Sequence, residues 1–189
     1  EFRLRGFIKS QLFTDAQAAS MARAGFKWIL VGFESGSPRI LENIEKKATV
    51  EQNNRCMEIA RRHGLKVKAL MSIGHPGESA DTINDTQDWL LAARPDDFAV
   101  TIITTYPGPP YYDRAVEPAP GIWTYTYPKN GDKLHAYEVD YTVTADYYKG
   151  SPDGGYKAYV FTDRLSSDDL VAHRDRVERE VREALGIPY

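Results

Sequence analysis

Cysteine is almost absent from this sequence: its 189 residues contain one, Cys56. A single cysteine excludes an intrachain disulfide and a metal centre built from several thiolates of this chain. Long apolar runs are missing as well, since no stretch reaches the about 18 residues that a membrane-spanning helix needs. The segment from Glu1 also lacks the charged-then-apolar layout of a secretory signal. These absences predict a cytoplasmic chain that makes no membrane contact.

An excess of one charge sign is missing too. The 24 basic and 27 acidic residues are spread along the chain and give a formal net charge of -3. This distribution argues against a basic nucleic-acid surface, so the expected partner is a small-molecule substrate and not a nucleic acid. The hydrophobic content of 42% is sufficient for a packed core.

Four short apolar runs alternate with helical patterns at intervals of roughly 30 to 40 residues, as successive βα units do. Each run is rich in β-formers and is followed by polar or glycine-bearing residues, which is typical of strands in a parallel sheet. Helix starts are marked by the capping-box spacing of Thr14 with Gln17 and of Thr49 with Gln52. The predicted strands are Leu4 to Ser10, Trp28 to Glu34, Val67 to Ile73 and Phe98 to Thr105.

The pattern changes after Pro107 to Pro110, where prolines, glycines and tyrosines replace the βα rhythm. The sequence therefore predicts two domains: residues 1–112 form the βα part and residues 113–189 form a Tyr/Pro-rich extension. In the extension, Tyr137 to Val143 and Tyr156 to Thr162 are predicted strands, and Ser166 opens a final helix. A solvated face is predicted for the charged residues of that helix, namely Asp175, Arg176, Glu178, Arg179, Glu180 and Arg182.

Three predicted strand ends carry distinctive motifs. They read Glu34-Ser35-Gly36 with Lys46 downstream, Ile73-Gly74-His75-Pro76-Gly77-Glu78, and Pro107-Gly108. In barrel-like α/β folds, ligands bind at the carboxyl ends of the strands. The ordered set resembles the radical S-adenosylmethionine (SAM) superfamily, and most closely the branch that is associated with a cobalamin-binding domain. The resemblance covers residues 1 to about 112 and implies an α/β fold: a partial TIM-like barrel of parallel βα units, with a small extension that ends in a helix.

The resemblance also implies cofactors: SAM, a [4Fe–4S] cluster and, in this branch, cobalamin as a further candidate. The family binds its cluster through CxxxCxxC, and the sequence contains neither that motif nor any metal site of its own. We therefore expect a C-terminal part of a radical SAM enzyme that is inactive by itself. The first strand would then have an unpaired edge, which predicts a homodimer or an edge covered by the tail.

The same resemblance implies ligand-contacting residues. Glu34 is expected to accept hydrogen bonds from the ribose or amino acid part of SAM, with Ser35 beside it. Lys46 is expected near the SAM carboxylate, and Ser72 on the adenine and ribose side. Thr104 is expected to face the nucleoside or the substrate cavity. No catalytic residue is predicted.

Several alternatives stay open on the sequence alone. Lys47 can replace Lys46, His75 reads most simply as a loop histidine, and Glu78 as a residue that favours the following helix start. The chain can also be a non-catalytic binding or interaction module derived from the radical SAM barrel. An aldolase-like barrel is a third reading, but it needs a lysine or a carboxylate pair that faces the cavity, and no predicted strand offers a clear one.

Overall fold

A parallel four-stranded sheet forms the first part of the chain in the computed structural model, which describes residues 4–140 and 154–189. The strand order β1-β2-β3-β4 follows the sequence, as it does in a barrel built from consecutive βα units. The predicted α/β fold with parallel strands is thereby confirmed. The strands are β1 (Leu4–Ile8), β2 (Phe26–Glu34), β3 (Lys66–Ile73) and β4 (Asp97–Ile102).

Helices connect these strands and begin where the sequence predicts. Thr14, Thr49 and Ser79 each accept a hydrogen bond from a backbone amide of the first turn, in complete capping boxes. Pro38 occupies the first turn of α2, although the Ser37 side chain makes no capping bond. The helices are a short 3-10 helix (Ser10–Leu12), α1 (Asp15–Arg23), α2 (Pro38–Asn43), α3 (Val50–Arg62) and α4 (Ala80–Ala93).

The two faces of this sheet differ in burial. On β2, Ile29, Val31 and Phe33 are completely buried, and α1 and α3 contact the sheet through β2 and β3. The alternate residues of β2 are only half-buried, and on the neighbouring strand Phe7, which pairs with Leu30, is 77% exposed. One face is therefore the packed core, and the opposite face remains open.

A second, antiparallel sheet follows, in the order β5-β6-β7-β8. Its first two strands were not predicted, and β7 ends at Tyr137, where the sequence suggested that a strand begins. Residues 138–140 are not strand, so that prediction is wrong there, while residues 141–143 lie outside the described residues. The elements are α5 (Pro110–Asp113), β5 (Val116–Ala119), β6 (Ile122–Thr126), β7 (Lys133–Tyr137), β8 (Val160–Phe161) and α6 (Ser167–Leu185).

Helix α6 returns to the parallel sheet and covers the edge of β4. Glu178 accepts the Val100 amide at 2.7 Å, and Arg182 donates to the Phe98 carbonyl at 2.8 Å. Arg174 donates to the Val100 carbonyl at 3.0 Å. These side chains therefore satisfy backbone groups that a fifth strand would otherwise satisfy.

The predicted solvated face is wrong for Glu178 and Arg182, which are both buried. Both residues lie next to the apolar stripe of α6. The sequence pattern does not show that the edge of β4 requires polar partners at these positions. Helix α6 of the predicted extension thus packs on β4 of the parallel sheet. The domain boundary at residue 112 stays a prediction.

The opposite edge of the sheet, β1, pairs with β2, and within residues 4–140 and 154–189 no second strand pairs with it. Helix α6 near the end of the chain covers the edge of β4 instead. Pairing of β1 with a second copy of the chain stays a prediction. In the described part of the chain, no helix has both the length and the apolar character that crossing a membrane requires.

Candidate functional site

The site is built where β2 and β3 end next to each other. Glu34, the last residue of β2, has a left-handed backbone with φ of 68°, and the β2–β3 register shifts between Gly32 and Glu34. A non-glycine residue in this conformation is uncommon and is found at functional sites. The shift places Glu34 beside the end of β3, where Ser72 lies.

The Glu34 carboxylate has two protein partners. Oε1 accepts from Lys46 Nζ at 2.8 Å, and Oε2 accepts from the Ser72 hydroxyl at 3.0 Å. The Glu34 side chain is 29% exposed and that of Lys46 is 21% exposed. Each carboxylate oxygen has a further lone pair, so Glu34 can still accept from a ligand.

Gly32 makes room for this ion pair. A Cβ atom at position 32 would lie 2.5 Å from Glu34 Oε1 and 3.3 Å from Lys46 Nζ. The space beside the strand is therefore used by the carboxylate, and a side chain at position 32 would displace it. A larger residue at position 32 would therefore require the ends of the Glu34 and Lys46 side chains to move.

His75 extends the network on the other side of Ser72. Its Nε2 lies 2.8 Å from the Ser72 hydroxyl, and its Nδ1 lies 3.4 Å from the hydroxyl of Tyr111. The imidazole is buried, and burial lowers the pKa of His75 to about 4. Nearby Glu34 opposes this shift and Lys46 adds to it. The ring is therefore neutral at pH 7.

Glu78 closes the loop after β3. Its Oε2 accepts the amides of Gly74 at 3.1 Å and His75 at 3.5 Å, and its Oε1 accepts the hydroxyl of Thr82 at 2.5 Å. Burial raises the pKa of Glu78 to about 7, against the lowering effect of these bonds. Glu78 therefore bonds to the turn as well as to Thr82 in the first turn of α4, the helix start that it was predicted to favour.

The second sheet contacts the same loop. Asn43 donates to the carbonyl of Pro76 and to Asp132, each at 2.7 Å, and the Gly77 amide donates to the carbonyl of Lys133 at 3.2 Å. Gly77 has φ of 79°, and a Cβ atom there would lie 2.3 Å from Asp132 Oδ2. The loop therefore lies between α2 and the β6–β7 turn.

The structure brings Glu34, Lys46 and Ser72 together in one hydrogen-bonded network. Ser35 is buried and its hydroxyl lies 3.0 Å from that of Thr86 on α4, on the packed side. Thr104 is half-buried two residues after β4. Ligand contact by Ser35 and Thr104 stays a prediction.

The alternative lysine lies elsewhere. Lys47 has a left-handed backbone with φ of 56° and lines an open surface cavity of about 540 Å³ with Glu42 and Glu45. Lys46 and not Lys47 is therefore the partner of Glu34. The positive charge of Lys46 already has a protein counterion, so it is not available as an isolated cation.

Comparison with known proteins identifies one family that the first part of the chain resembles. Residues 1–90, which carry β1 to β3 and the Glu34 network, match the family model of the radical SAM superfamily. Over these 90 of its 189 residues, the chain is similar to the radical SAM superfamily.

Two of the similar curated proteins are named as methyltransferases. An uncharacterized methyltransferase of Pyrococcus horikoshii is 32% identical over 104 residues, covering 55% of this chain and 23% of that protein. Bacteriochlorophyllide d C-12(1)-methyltransferase of Chlorobaculum tepidum is 26% identical over 108 residues, covering 56% of this chain and 24% of that protein. The chain thus spans about a quarter of the length of these two relatives.

A solved structure has the same fold over nearly the whole chain. The radical SAM methyltransferase TsrM from Kitasatospora setae, solved with cobalamin and a [4Fe–4S] cluster, aligns with a TM-score of 0.59 at 18% identity. The alignment covers 97% of this chain and 45% of that one. This likeness supports the partial barrel and the extension as one fold.

The cofactors of the superfamily differ in how they fit this chain. The Glu34 carboxylate, with free acceptor capacity beside Ser72, fits the hydroxyls and ammonium of SAM. A [4Fe–4S] cluster needs several thiolates, but the sequence has only Cys56, which is buried in α3. Burial raises the pKa of the Cys56 thiol to about 12. The cluster does not fit the residues of this chain.

Sequence analysis missed Tyr111 and the role of His75. Tyr111 lies in the short α5, more than thirty positions beyond His75, and only the fold brings their side chains together. The close packing of Gly32 against an ion pair also has no sequence signal, because Gly32 reads as an ordinary strand glycine.

Proposed function

We propose that this chain is part of a radical SAM enzyme and that its strand ends orient SAM. The observation that carries the proposal is the half-open carboxylate of Glu34, fixed by Lys46 and Ser72 at the end of β2. Its remaining lone pairs accept hydrogen bonds from the SAM ribose or ammonium. SAM, when bound, supplies an activated methyl group or 5′-carbon through its sulfonium.

The other residues of the site support that carboxylate. Lys46 holds Glu34 in place by a charge-assisted bond, and Ser72 donates to its second oxygen. The left-handed backbone of Glu34 directs the side chain to this position. Ser35 and Thr104 complete the proposed set of SAM contacts, and the cluster would have to be held by residues outside this sequence.

Methyl transfer with cobalamin is the reaction class that we infer. Two curated relatives are named as methyltransferases, and the TsrM structure contains cobalamin and a [4Fe–4S] cluster. The substrate is a small molecule, and the open face of the parallel sheet gives it space. By itself the chain would be inactive, because it lacks thiolates for the cluster.

The decisive experiment is a SAM titration of the full-length protein, with its cluster reconstituted and with Glu34→Gln or Lys46→Met introduced. Loss of a charge-assisted bond of about 1.5 kcal/mol or more predicts at least about tenfold weaker binding for Glu34→Gln. Glu183→Gln on α6 and Lys27→Met, near the other end of β2, are exposed matched controls. Unchanged affinity in both site variants would remove the proposed site.

A non-catalytic binding module is the second candidate, because the single cysteine cannot hold a cluster. The coding sequence upstream of Glu1 separates the two. A continuous reading frame with CxxxCxxC supports the enzyme, whereas an initiator codon immediately before Glu1 supports the module.

A further inference from the structure

Four side chains form a continuous hydrogen-bonded chain that ends at the proposed SAM-binding carboxylate. The Tyr111 hydroxyl lies 3.4 Å from His75 Nδ1, and His75 Nε2 lies 2.8 Å from the Ser72 hydroxyl. That hydroxyl lies 3.0 Å from Glu34 Oε2. Of these contacts, the one between Ser72 and His75 is buried, and the other two are partly buried.

The direction of every bond in this chain follows from proton counting. A carboxylate accepts hydrogen bonds and donates none, so the Ser72 hydroxyl must donate its one proton to Glu34. The Ser72 oxygen then accepts from His75, which requires the proton of the imidazole on Nε2. Nδ1 is left as an acceptor, and the Tyr111 hydroxyl donates to it.

The pKa shifts of His75 and Tyr111 agree with this order. Burial lowers the pKa of His75, which keeps the ring neutral, and burial raises the pKa of Tyr111, which keeps its proton on the hydroxyl. Glu34 and Lys46 are the charged groups that act on the imidazole, with opposite signs.

Tyr111 links this chain to the second sheet. It lies in α5, and its ring centroid is 5.0 Å from that of Tyr125 in β6. The rings of His75 and Tyr111 meet edge to face with centroids 6.2 Å apart. The short helix α5 therefore contributes to the site through one hydroxyl group.

We propose that His75 and Tyr111 are positioning residues: His75, held as its Nε2–H tautomer by the Tyr111 hydroxyl, fixes the Ser72 proton on Glu34. This inference rests on the proposed SAM-binding role of Glu34. It assigns α5 a part in ligand binding, since the orientation of Glu34 depends on a tyrosine from outside the parallel sheet. Neither residue is placed in contact with SAM.

The tautomer is the direct test. Long-range proton–nitrogen NMR of the imidazole-labelled 189-residue chain at pH 7 should show His75 with a protonated Nε2 and an unprotonated Nδ1. The Nδ1–H tautomer would overturn the proposal, because Nε2 would then take the Ser72 proton away from Glu34. A merely structural histidine has no required tautomer, so packing alone does not predict this result.

Affinity for SAM in the full-length protein is the second readout. Loss of one hydrogen bond of about 1 kcal/mol predicts roughly fivefold weaker binding in both His75→Phe and Tyr111→Phe. Tyr125→Phe, which removes the neighbouring hydroxyl in the same ring cluster, should bind as the parent does. If Glu34→Gln weakens binding but His75→Phe and Tyr111→Phe do not, the positioning role is wrong and the proposed function stands. If Glu34→Gln also has no effect, the proposed function fails.

Discussion

Glu34 and Glu178 are both ion-paired carboxylates on the parallel sheet, but they lie in opposite environments. The Glu178 side chain is 0% exposed, and its oxygens accept from the Val100 amide and from Arg182 Nε, each at 2.7 Å. Glu34 is 29% exposed and is bonded to Lys46 and Ser72 at the end of β2. One carboxylate is enclosed at the edge of the sheet, and the other is open at its carboxyl end.

The difference shows what each pair does for the protein. Burial raises the pKa of Glu178, while its bonds to Val100 and Arg182 oppose the shift. A buried charge with every partner in place serves the fold, because removing one partner leaves the others unpaired. A half-open carboxylate keeps acceptor capacity for a ligand. We therefore expect changes at Glu178 to affect stability and changes at Glu34 to affect binding.

The largest expected effect is that of Glu178→Ala. The change leaves Arg174 and Arg182 without their buried counterion and the Val100 amide without an acceptor. We expect a loss of about 3 to 5 kcal/mol in the free energy of unfolding, measured by urea denaturation. Glu183→Ala, on the exposed side of α6, controls for charge and helix propensity. A loss below about 1 kcal/mol would show that α6 does not close the β4 edge.

Gly36→Ala ranks next. The added Cβ would lie 2.5 Å from the Asp85 carbonyl oxygen and 2.6 Å from Trp89 Cβ, and neither atom belongs to a flexible side-chain end. Overpacking of this kind costs about 2 to 3 kcal/mol. The midpoint of urea unfolding should fall accordingly, and an unchanged midpoint would contradict the close packing of α4 against the loop after β2.

Glu78→Gln should change the pH dependence of stability. Burial raises the pKa of Glu78 to about 7 from its ordinary 4.5, so the stability from the protonated form is complete below pH 4.5 and is lost as pH rises through 7. Glutamine cannot ionise. Relative to the parent protein, the variant should therefore gain about 2 kcal/mol between pH 5 and pH 8.5.

Denaturant unfolding of both proteins at each pH measures this gain. His75, whose lowered pKa costs stability as pH falls below 6.5, is present in both proteins, so its effect cancels in the comparison. A difference between variant and parent that stays constant from pH 5 to pH 8.5 would exclude the buried titration of Glu78.

Gly32→Ala has the smallest expected effect on stability and the sharpest contrast with Gly36→Ala. Its Cβ would meet the ends of the Glu34 and Lys46 side chains, which can move, and not the backbone. We expect a change below about 0.5 kcal/mol in unfolding free energy but a clear loss of SAM affinity in the full-length protein. If Gly32→Ala and Gly36→Ala lost the same amount of unfolding free energy, Gly32 would serve the fold as Gly36 does and not the binding site.

The sequence predicted those parts of the molecule that depend on local chemistry. The capping boxes at Thr14 and Thr49 are confirmed, because hydroxyl and glutamine side chains three residues apart fix a helix start. The parallel strands are also confirmed, because their apolar runs and spacing are local. Glu34 and Lys46 were both named as site residues from their motifs, but their ion pair was not predicted.

Contacts between distant segments could not be predicted in this way. The buried face of α6 looks like an exposed charged face until β4 is placed beside it. The strands β5 and β6 are short and interrupted by Pro118 and Gly121, which weakened the alternating pattern. Tyr111 meets His75 only through the packing of α5 against the end of the sheet.

The most direct test compares the two carboxylates while SAM is added. In the full-length protein with carbon-13 at the glutamate carboxyl groups, saturating SAM should shift the resonance of Glu34 and leave that of Glu178 in place. The resonance of Glu34 can be assigned from its disappearance in Glu34→Gln. A Glu34 resonance that does not move at saturating SAM would contradict the account.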